Sequence, residues 1–363
     1  MGIHPSSPYL NVPASAKWRE AMSGHRPQEI DPHADTGCVI MPTDKVASAG
    51  SCFAQRISEA LQAAGYNYYI VENGAPFLSE SQRKELGYGV YSARYGNIYT
   101  PLQLLQLLRR SLGRFEPQEP LWMSADGKYV DPYRPGAIPG GFANASECLW
   151  DRENHLTAVR KMFENMDVFI FTLGLTEAWL SSADQAVFPV CPGSGLGGEY
   201  NSANHVFHNF TVGEVVSHLG TFLFELAEIN PNARVILTVS PVPLMATFEP
   251  RHVLQSTIYS KSVLRVACDE IVRNRDNVYY FGSYEIVTAT GDSRTYLKDD
   301  LRTVTETAVS HVIECFRRWS MTDNQLRAEP TNTDMALATH LADSALMCDE
   351  DLIAAALEKL DAQ

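Results

Sequence analysis

The chain has 363 residues, more than the about 100 to 200 of a usual single domain, so one large α/β domain with insertions, or two domains, is expected. A hydrophobic share of 45% beside 20% charged residues excludes a disordered chain, and the net charge of −14 argues against a nucleic-acid backbone as ligand. The seven cysteines form no CxxC pair, which speaks against a zinc ribbon or a disulfide framework and for reduced thiols in a cytoplasm. The N-terminal stretch lacks a basic region followed by an apolar one, and no apolar run approaches the roughly 18 residues of a membrane span.

The first 43 residues are rich in Pro, Ser, His and Gly and read as an arm with one short helix around 16–22. Lys45 to Gly50 suits a strand. After it Phe53, Ile57, Leu61 and Ala64 recur at helical spacing until Gly65, which predicts strand, tight turn and helix. Tyr66 to Val71 suits a second strand, and Pro101 opens a helix through about Leu112. Residues 113–145 read as an insertion, with a hairpin around Asp126 and Gly127.

Helical spacing resumes over 147–166, and Val168 to Leu173 has the composition of a strand buried on both faces. Thr211 and Glu214 form a capping box ahead of a helix to about Ile229. Arg234 to Val239 and Val278 to Phe281 read as strands, Thr257 to Arg273 and Thr305 to Trp319 as helices, and a last helix is expected near 349–360. This alternation favours a parallel sheet with helices on both faces, with the site beyond the carboxyl ends of the strands. The division expected is an arm over 1–43, one α/β domain over 44–320 and a C-terminal helical extension over 321–363.

The most informative segment is Ala49-Gly50-Ser51-Cys52-Phe53-Ala54-Gln55, which sets Ser51 and Cys52 between a strand end and a helix start. Unpaired N–H groups and the helix dipole there favour a thiolate and stabilise an oxyanion. The competing reading is a buried structural cysteine in a capping turn. His205 and His208 precede the capping box, and either could serve Cys52 as a base, or else cap a helix or pack near Phe207 and Phe210. With Cys191 and Glu199 the same histidines supply a weaker metal-site reading, since their spacing matches no zinc pattern; no metal or cofactor is assigned.

Gly50-Ser51-Cys52-Phe53-Ala54 resembles the signature of the GSCFA family. The resemblance extends through Thr172-Leu-Gly-Leu-Thr-Glu-Ala-Trp179, His205 to Phe210, Leu237 to Pro243, His252-Val-Leu, Thr257 to Ser262 and Tyr284-Glu285, over roughly 8–320. It implies kinship with SGNH hydrolases: a flavodoxin-like α/β/α sandwich, and esterase or acyltransferase chemistry on an acylated carbohydrate or other small ester. Laying that superfamily's nucleophile turn on this one puts Cys52 at the nucleophile position, with Ser51 beside it. Gly96, with Asn97 next to it, and Gly174 with Thr176 then match the further oxyanion donors. The Asp-x-x-His block corresponds to Asp299-Asp300-Leu301-Arg302-Thr303, which has no histidine, and the next one, His311, lies in a predicted helix. The missing imidazole opens a second reading, a binding protein that has lost turnover; a metal-dependent hydrolase using His205 and His208 is the third. Glu177, Tyr284 and Glu285 are polar residues near predicted strand ends, placed to orient a histidine, bind a sugar hydroxyl or cap a helix.

Overall fold

The computed structural model describes residues 7–33, 37–63, 65–289 and 293–321. The helix expected near 349–360 lies outside the described residues. The arm carries short 3-10 turns and helix α1 (Trp18–Met22), and β1 (Val46–Gly50) leads directly into α2 (Cys52–Ala63). Next come α3 (Glu80–Glu85), α4 (Pro101–Ser111), the hairpin β2 (Trp122–Met123) with β3 (Tyr129–Val130), and α5 (Ala145–Asn165). β4 (Val168–Leu173) is followed by β5 (Glu177–Ser181), β6 (Val187–Phe188) and β7 (His205–Asn209), then α6 (Val212–Ile229), β8 (Arg234–Val239) and α7 (Val253–Arg273). The described chain closes with β9 (Val278–Tyr280), α8 (Ser283–Thr288), α9 (Ser293–Tyr296) and α10 (Glu306–Ser320).

β1, β4, β8 and β9 form a parallel sheet in that order, with Val46 beside Val168 and Gly50 beside Thr172. Alternate residues separate two cores, as the pleat requires. Phe169, Phe171 and Leu173 point with Val235, Leu237 and Val239 into a core closed by α4, α5, α6 and α7. Val168, Ile170 and Ile236 point the other way, onto Ile57 and Leu61 of α2 and Val312 and Phe316 of α10. The result is a three-layer α/β/α sandwich, the fold class expected from the alternation of elements. In the first core Phe163, Phe169 and Phe222 stand 5.6–5.9 Å apart between ring centroids, a packing worth about 0.5–1.5 kcal/mol per pair beyond area burial.

Local signals explain most helix starts. Thr100, Thr211 and Thr305 each accept a hydrogen bond from the backbone N–H three residues on. α7 begins at Val253, earlier than expected, because the His252 ring accepts from the Leu254 N–H at 3.1 Å, a cap outside the usual residue set. The expected strand over 66–71 is reduced to one parallel bridge between Tyr68 and Val46. Asn67 and Tyr69 both bond Val46, but the Val71 N–H turns away to the Ser92 carbonyl at 2.8 Å, which ends the pairing. A three-stranded antiparallel sheet, β6-β5-β7, is an addition that the chain-order reading does not contain. The arm is tied to the end of α10 by Gly37 and Ile40, whose N–H groups donate to the Trp319 and Ser320 carbonyls, both at 2.8 Å. Among the described residues no helix is long and apolar enough to cross a membrane.

Candidate active site

β1 ends at Gly50, which pairs with Thr172 of β4. A Cβ at Gly50 would lie 2.5 Å from the Thr172 carbonyl oxygen and 2.7 Å from the Thr172 Cβ, so only glycine fits. α2 starts at Cys52, and Ser51 and Cys52 therefore occupy the turn itself, 4% and 3% exposed. The Ser51 N–H donates to the Thr172 carbonyl at 3.3 Å and the Ala54 N–H to the Ser51 carbonyl at 2.8 Å. The Cys52 N–H is at the first helical position, where a helix leaves its N–H groups without partners inside the helix.

The turn is held by neutral groups. The Tyr91 hydroxyl lies 3.2 Å from the Gly50 carbonyl, 2.9 Å from that of Ser51 and 3.0 Å from Asn97 Oδ1, which also accepts from Gln55 Nε2 at 3.0 Å. Burial, and after it the neighbouring Cys52, push the Tyr91 phenol well above its ordinary range, so it stays a donor.

Ser51 Oγ has no hydrogen-bond partner. Together with Cys52, Tyr99, Gly174, Leu244 and Lys261 it lines a small cavity at the carboxyl end of the sheet. Leaving a buried hydroxyl unsatisfied costs about 1–3 kcal/mol, so such a group calls for an explanation. Lys261 is 2% exposed, and its Nζ donates to the Gly174 carbonyl at 2.5 Å. Gly174 in turn packs on the serine, since a Cβ there would meet Ser51 Cβ at 3.1 Å and Tyr99 Cδ1 at 3.0 Å. One residue thus carries the lysine on its carbonyl and the serine against its Cα.

Neither histidine expected as a base joins this cavity, whose wall carries no histidine. His208 Nε2 pairs with Glu214 Oε1 at 2.7 Å, beside the capping box that the same carboxylate makes with the Thr211 N–H. His205 accepts from the Asn201 N–H at 3.0 Å and contacts Glu119 Oε2 at 3.1 Å. Three positions apart on β7, opposite Ser181 and Ala178, the two rings point to opposite faces and cannot converge on one ion. Among the described residues no group of three or more His, Cys, Asp or Glu is arranged to hold a metal. Cys191 belongs to a neighbouring apolar cavity, and Glu199 shares the wall of another with His205.

Of the expected oxyanion donors, Gly174 lines the Ser51 cavity. Thr176 is spent: its N–H donates to Ser260 Oγ at 2.9 Å and its hydroxyl to Asn209 Oδ1 at 2.7 Å. Gly96 and Asn97 border a separate cavity next to Arg94 and Arg134. Glu177 accepts from the Thr247 hydroxyl at 2.6 Å, and burial raises its carboxyl pKa. Glu285 accepts from Arg265 at 2.6 Å and Tyr280 at 2.8 Å, while Tyr284 packs on the first core. Asp300 closes a turn by accepting from the Arg302 and Thr303 N–H groups, both at 2.9 Å; Asp299 is exposed, and His311 bonds the Tyr296 hydroxyl at 2.7 Å.

Residues 45–316 match the sequence profile of the GSCFA family. The chain belongs to the GSCFA family. No curated protein matches it. Among solved structures this GSCFA chain is similar to a carbohydrate esterase family 2 enzyme with a carbohydrate binding domain from Corynascus thermopiles (Myceliophthora fergusii), at 11% identity and a TM-score of 0.29, over 84% of this chain and 68% of that one. The five signature residues, Gly50 to Ala54, are buried as a unit at the end of β1. Lys261 lies in the family stretch Thr257 to Ser262, but the motif assigns it no place at the site. Its signal is positional: it falls on the buried stripe of α7 with Leu264, Cys268 and Ile271, where a lysine is out of place.

Proposed function

We propose that this GSCFA protein is an acyl-transfer enzyme, an ester hydrolase or acyltransferase, with Ser51 as nucleophile and Lys261 as proton acceptor. The observation that carries this reading is the buried, unpartnered Ser51 hydroxyl on a cavity that Lys261 also lines. Lys261 takes the role that the sequence reading gives to His208. In its unprotonated form the Lys261 amine accepts the hydroxyl proton as Ser51 Oγ bonds the ester carbonyl carbon, and the Cys52 N–H at the start of α2 stabilises the oxyanion. The bond to the leaving alcohol then breaks and Lys261 returns the proton to that oxygen. Water or an acceptor hydroxyl, deprotonated by the same amine, then bonds the acyl carbon, the bond to Ser51 Oγ breaks, and the amine returns the proton to that oxygen. Serine–lysine pairs are a known variant of triad chemistry, and a desolvated lysine suits a base. An acylated carbohydrate or other small ester is the substrate class that SGNH kinship suggests. The free thiols of the described cysteines suit a reducing cytoplasm.

The test is p-nitrophenyl acetate turnover by wild type, Ser51→Ala, Lys261→Met, Cys52→Ala and His208→Ala. Ser51→Ala and Lys261→Met are expected to lose about 10³-fold or more in kcat, as enzymes do on losing a nucleophile or its base, with Cys52→Ala and His208→Ala within about threefold of wild type. Loss confined to Cys52→Ala moves the nucleophile to the thiol. Equal activity in all five sinks the acyl-transfer reading and favours a binding protein, which the absence of histidine from Asp299 to Thr303 motivates.

A further inference from the structure

The cavity at Ser51 does not stand alone. Tyr99, Leu175 and Leu244 are walls it shares with a second cavity of about 410 Å³. The second cavity is lined chiefly by Trp179, Phe188, Phe207, Met245 and Phe248. Trp179 stands 5.7 Å from Phe207 and 4.9 Å from Phe248 between ring centroids, and Phe248 is 63% exposed, so the aromatic lining reaches solvent at its rim.

The amide, carboxylate and aliphatic hydroxyl side chains on this wall are already engaged with the protein. Glu177 accepts from Thr247 Oγ1 at 2.6 Å and from the Phe248 N–H at 3.2 Å. Gln103 spans the Tyr99 N–H and the Asn97 carbonyl, both at 2.9 Å, Thr100 caps α4, and the Ser194 hydroxyl donates to the Cys191 carbonyl at 2.5 Å. Of the lining side chains this leaves the Tyr200 hydroxyl and the Trp179 N–H to meet a ligand hydroxyl, and every further hydroxyl that enters gives up water at roughly tenfold in affinity for each bond left unmade. A methylene entering here gains about fourfold. At about 30 Å³ for a water-sized group, the volume takes about a dozen heavy atoms.

We propose that this cavity binds the acyl chain of the substrate, a linear saturated group of about eight to ten carbons that runs from the carbonyl at Ser51 past Tyr99 and Leu244 toward Trp179 and Phe248. The placement of the carbonyl rests on the acyl-transfer reading; the apolar chemistry of the cavity does not. Two measurements on the full chain separate them. The first is kcat/KM for p-nitrophenyl acetate, butyrate, octanoate and decanoate. The second is calorimetric titration of Ser51→Ala protein with sodium decanoate and, separately, with cellobiose. The expected result is a rise of about fourfold per methylene until the cavity is full, together with binding of decanoate and not of cellobiose. Met245→Trp, which fills the cavity, and Phe248→Ala, at its exposed rim where folding is least at risk, should each lower the octanoate-to-acetate ratio and weaken decanoate. A flat chain-length profile, or cellobiose bound more tightly than decanoate, overturns the proposal and leaves acyl transfer standing. Decanoate binding that Met245→Trp abolishes, in a protein that turns over none of the esters, supports the cavity and sinks the acyl-transfer reading.

Discussion

Around Ser51 the buried polar side chains that brace the turn are neutral: Tyr91, Asn97, Gln55 and Gln103 hold it through hydroxyl, amide and carbonyl groups. Around Asp131, in the inserted loops, they are charged. Asp131 accepts from Arg134 at 3.0 Å and from Arg152 at 3.0 and 3.1 Å, Arg134 reaches Asp151 at 2.8 Å, and Arg94 bridges Asp151 at 3.0 Å and Glu72 at 3.6 Å. Burial alone would raise the Asp131 carboxyl, but the Arg134, Arg152 and Arg110 guanidiniums hold it well below the usual carboxylate range. The contrast separates two uses of buried polarity. The ionic network fixes the inserted loops on α5 and depends on pH and on every member being present. The neutral one fixes a turn while leaving the Ser51 hydroxyl unengaged.

The largest effect should come from breaking the ionic network. Asp131→Ala takes the shared carboxylate from Arg134 and Arg152, leaving Arg134, 2% exposed, with Asp151 alone, and is expected to cost about 3–5 kcal/mol in urea unfolding. A loss below about 1 kcal/mol would mean that water or a loop shift satisfies the arginines, and the contrast between the two regions would fail.

Acid should find the same region next. His155, fully buried, contacts Glu72 Oε2 at 2.8 Å, and burial first and Arg134 second push its imidazole down to about 4. The unfolded chain takes up a proton below about pH 6.5 that the folded chain refuses, so stability is full above that pH and falls as pH drops toward 4, by an amount on the order of 3 kcal/mol. Glu72 is raised by burial but held down to about 2 by His155 and its hydrogen bonds; its contribution is present above the ordinary glutamate range and is lost as pH falls toward 2. Unfolding midpoints from pH 7.5 to 4 check the first part, and His155→Gln should flatten that slope.

The neutral network should respond less. Asn97→Ala strips an acceptor from both Tyr91 and Gln55 and is expected to cost about 1–3 kcal/mol, with no pH dependence between 7.5 and 4. A pH-dependent loss would show that a charge contributes to bracing the turn.

What the sequence makes legible follows the range of the forces involved. β4 and β8 run over the expected residues because each is a continuous apolar run buried on both faces, and α6 starts at its capping box because the partners lie three residues apart. The turn at Gly50 is legible because a glycine between a strand and a helix marks a close approach of backbones, here to Thr172. Lys261 is not, because what brings it to Gly174 is the packing of α7 on the far side of the sheet. His208 shows the opposite hazard: three positions before a nucleating capping box it looks available, yet the box's own Glu214 engages the ring. β5, β6 and β7 escape a local reading because they are short and their pairing spans a Gly-rich loop, so the aromatic cavity they help wall is invisible to motif search.

The smallest expected change in stability is the most telling. Ser51→Ala removes a buried hydroxyl that has no partner, so no hydrogen bond is broken and no other group is left unpaired. Unfolding should show no loss and a gain of up to about 1 kcal/mol, while ester turnover is lost. A hydroxyl kept only for the fold predicts the reverse, a measurable loss of stability with turnover unchanged. Because the two readings differ in sign on both measurements, one variant decides whether the unsatisfied oxygen at Ser51 is retained for chemistry: a protein that gains stability and loses turnover has been holding that group for its substrate.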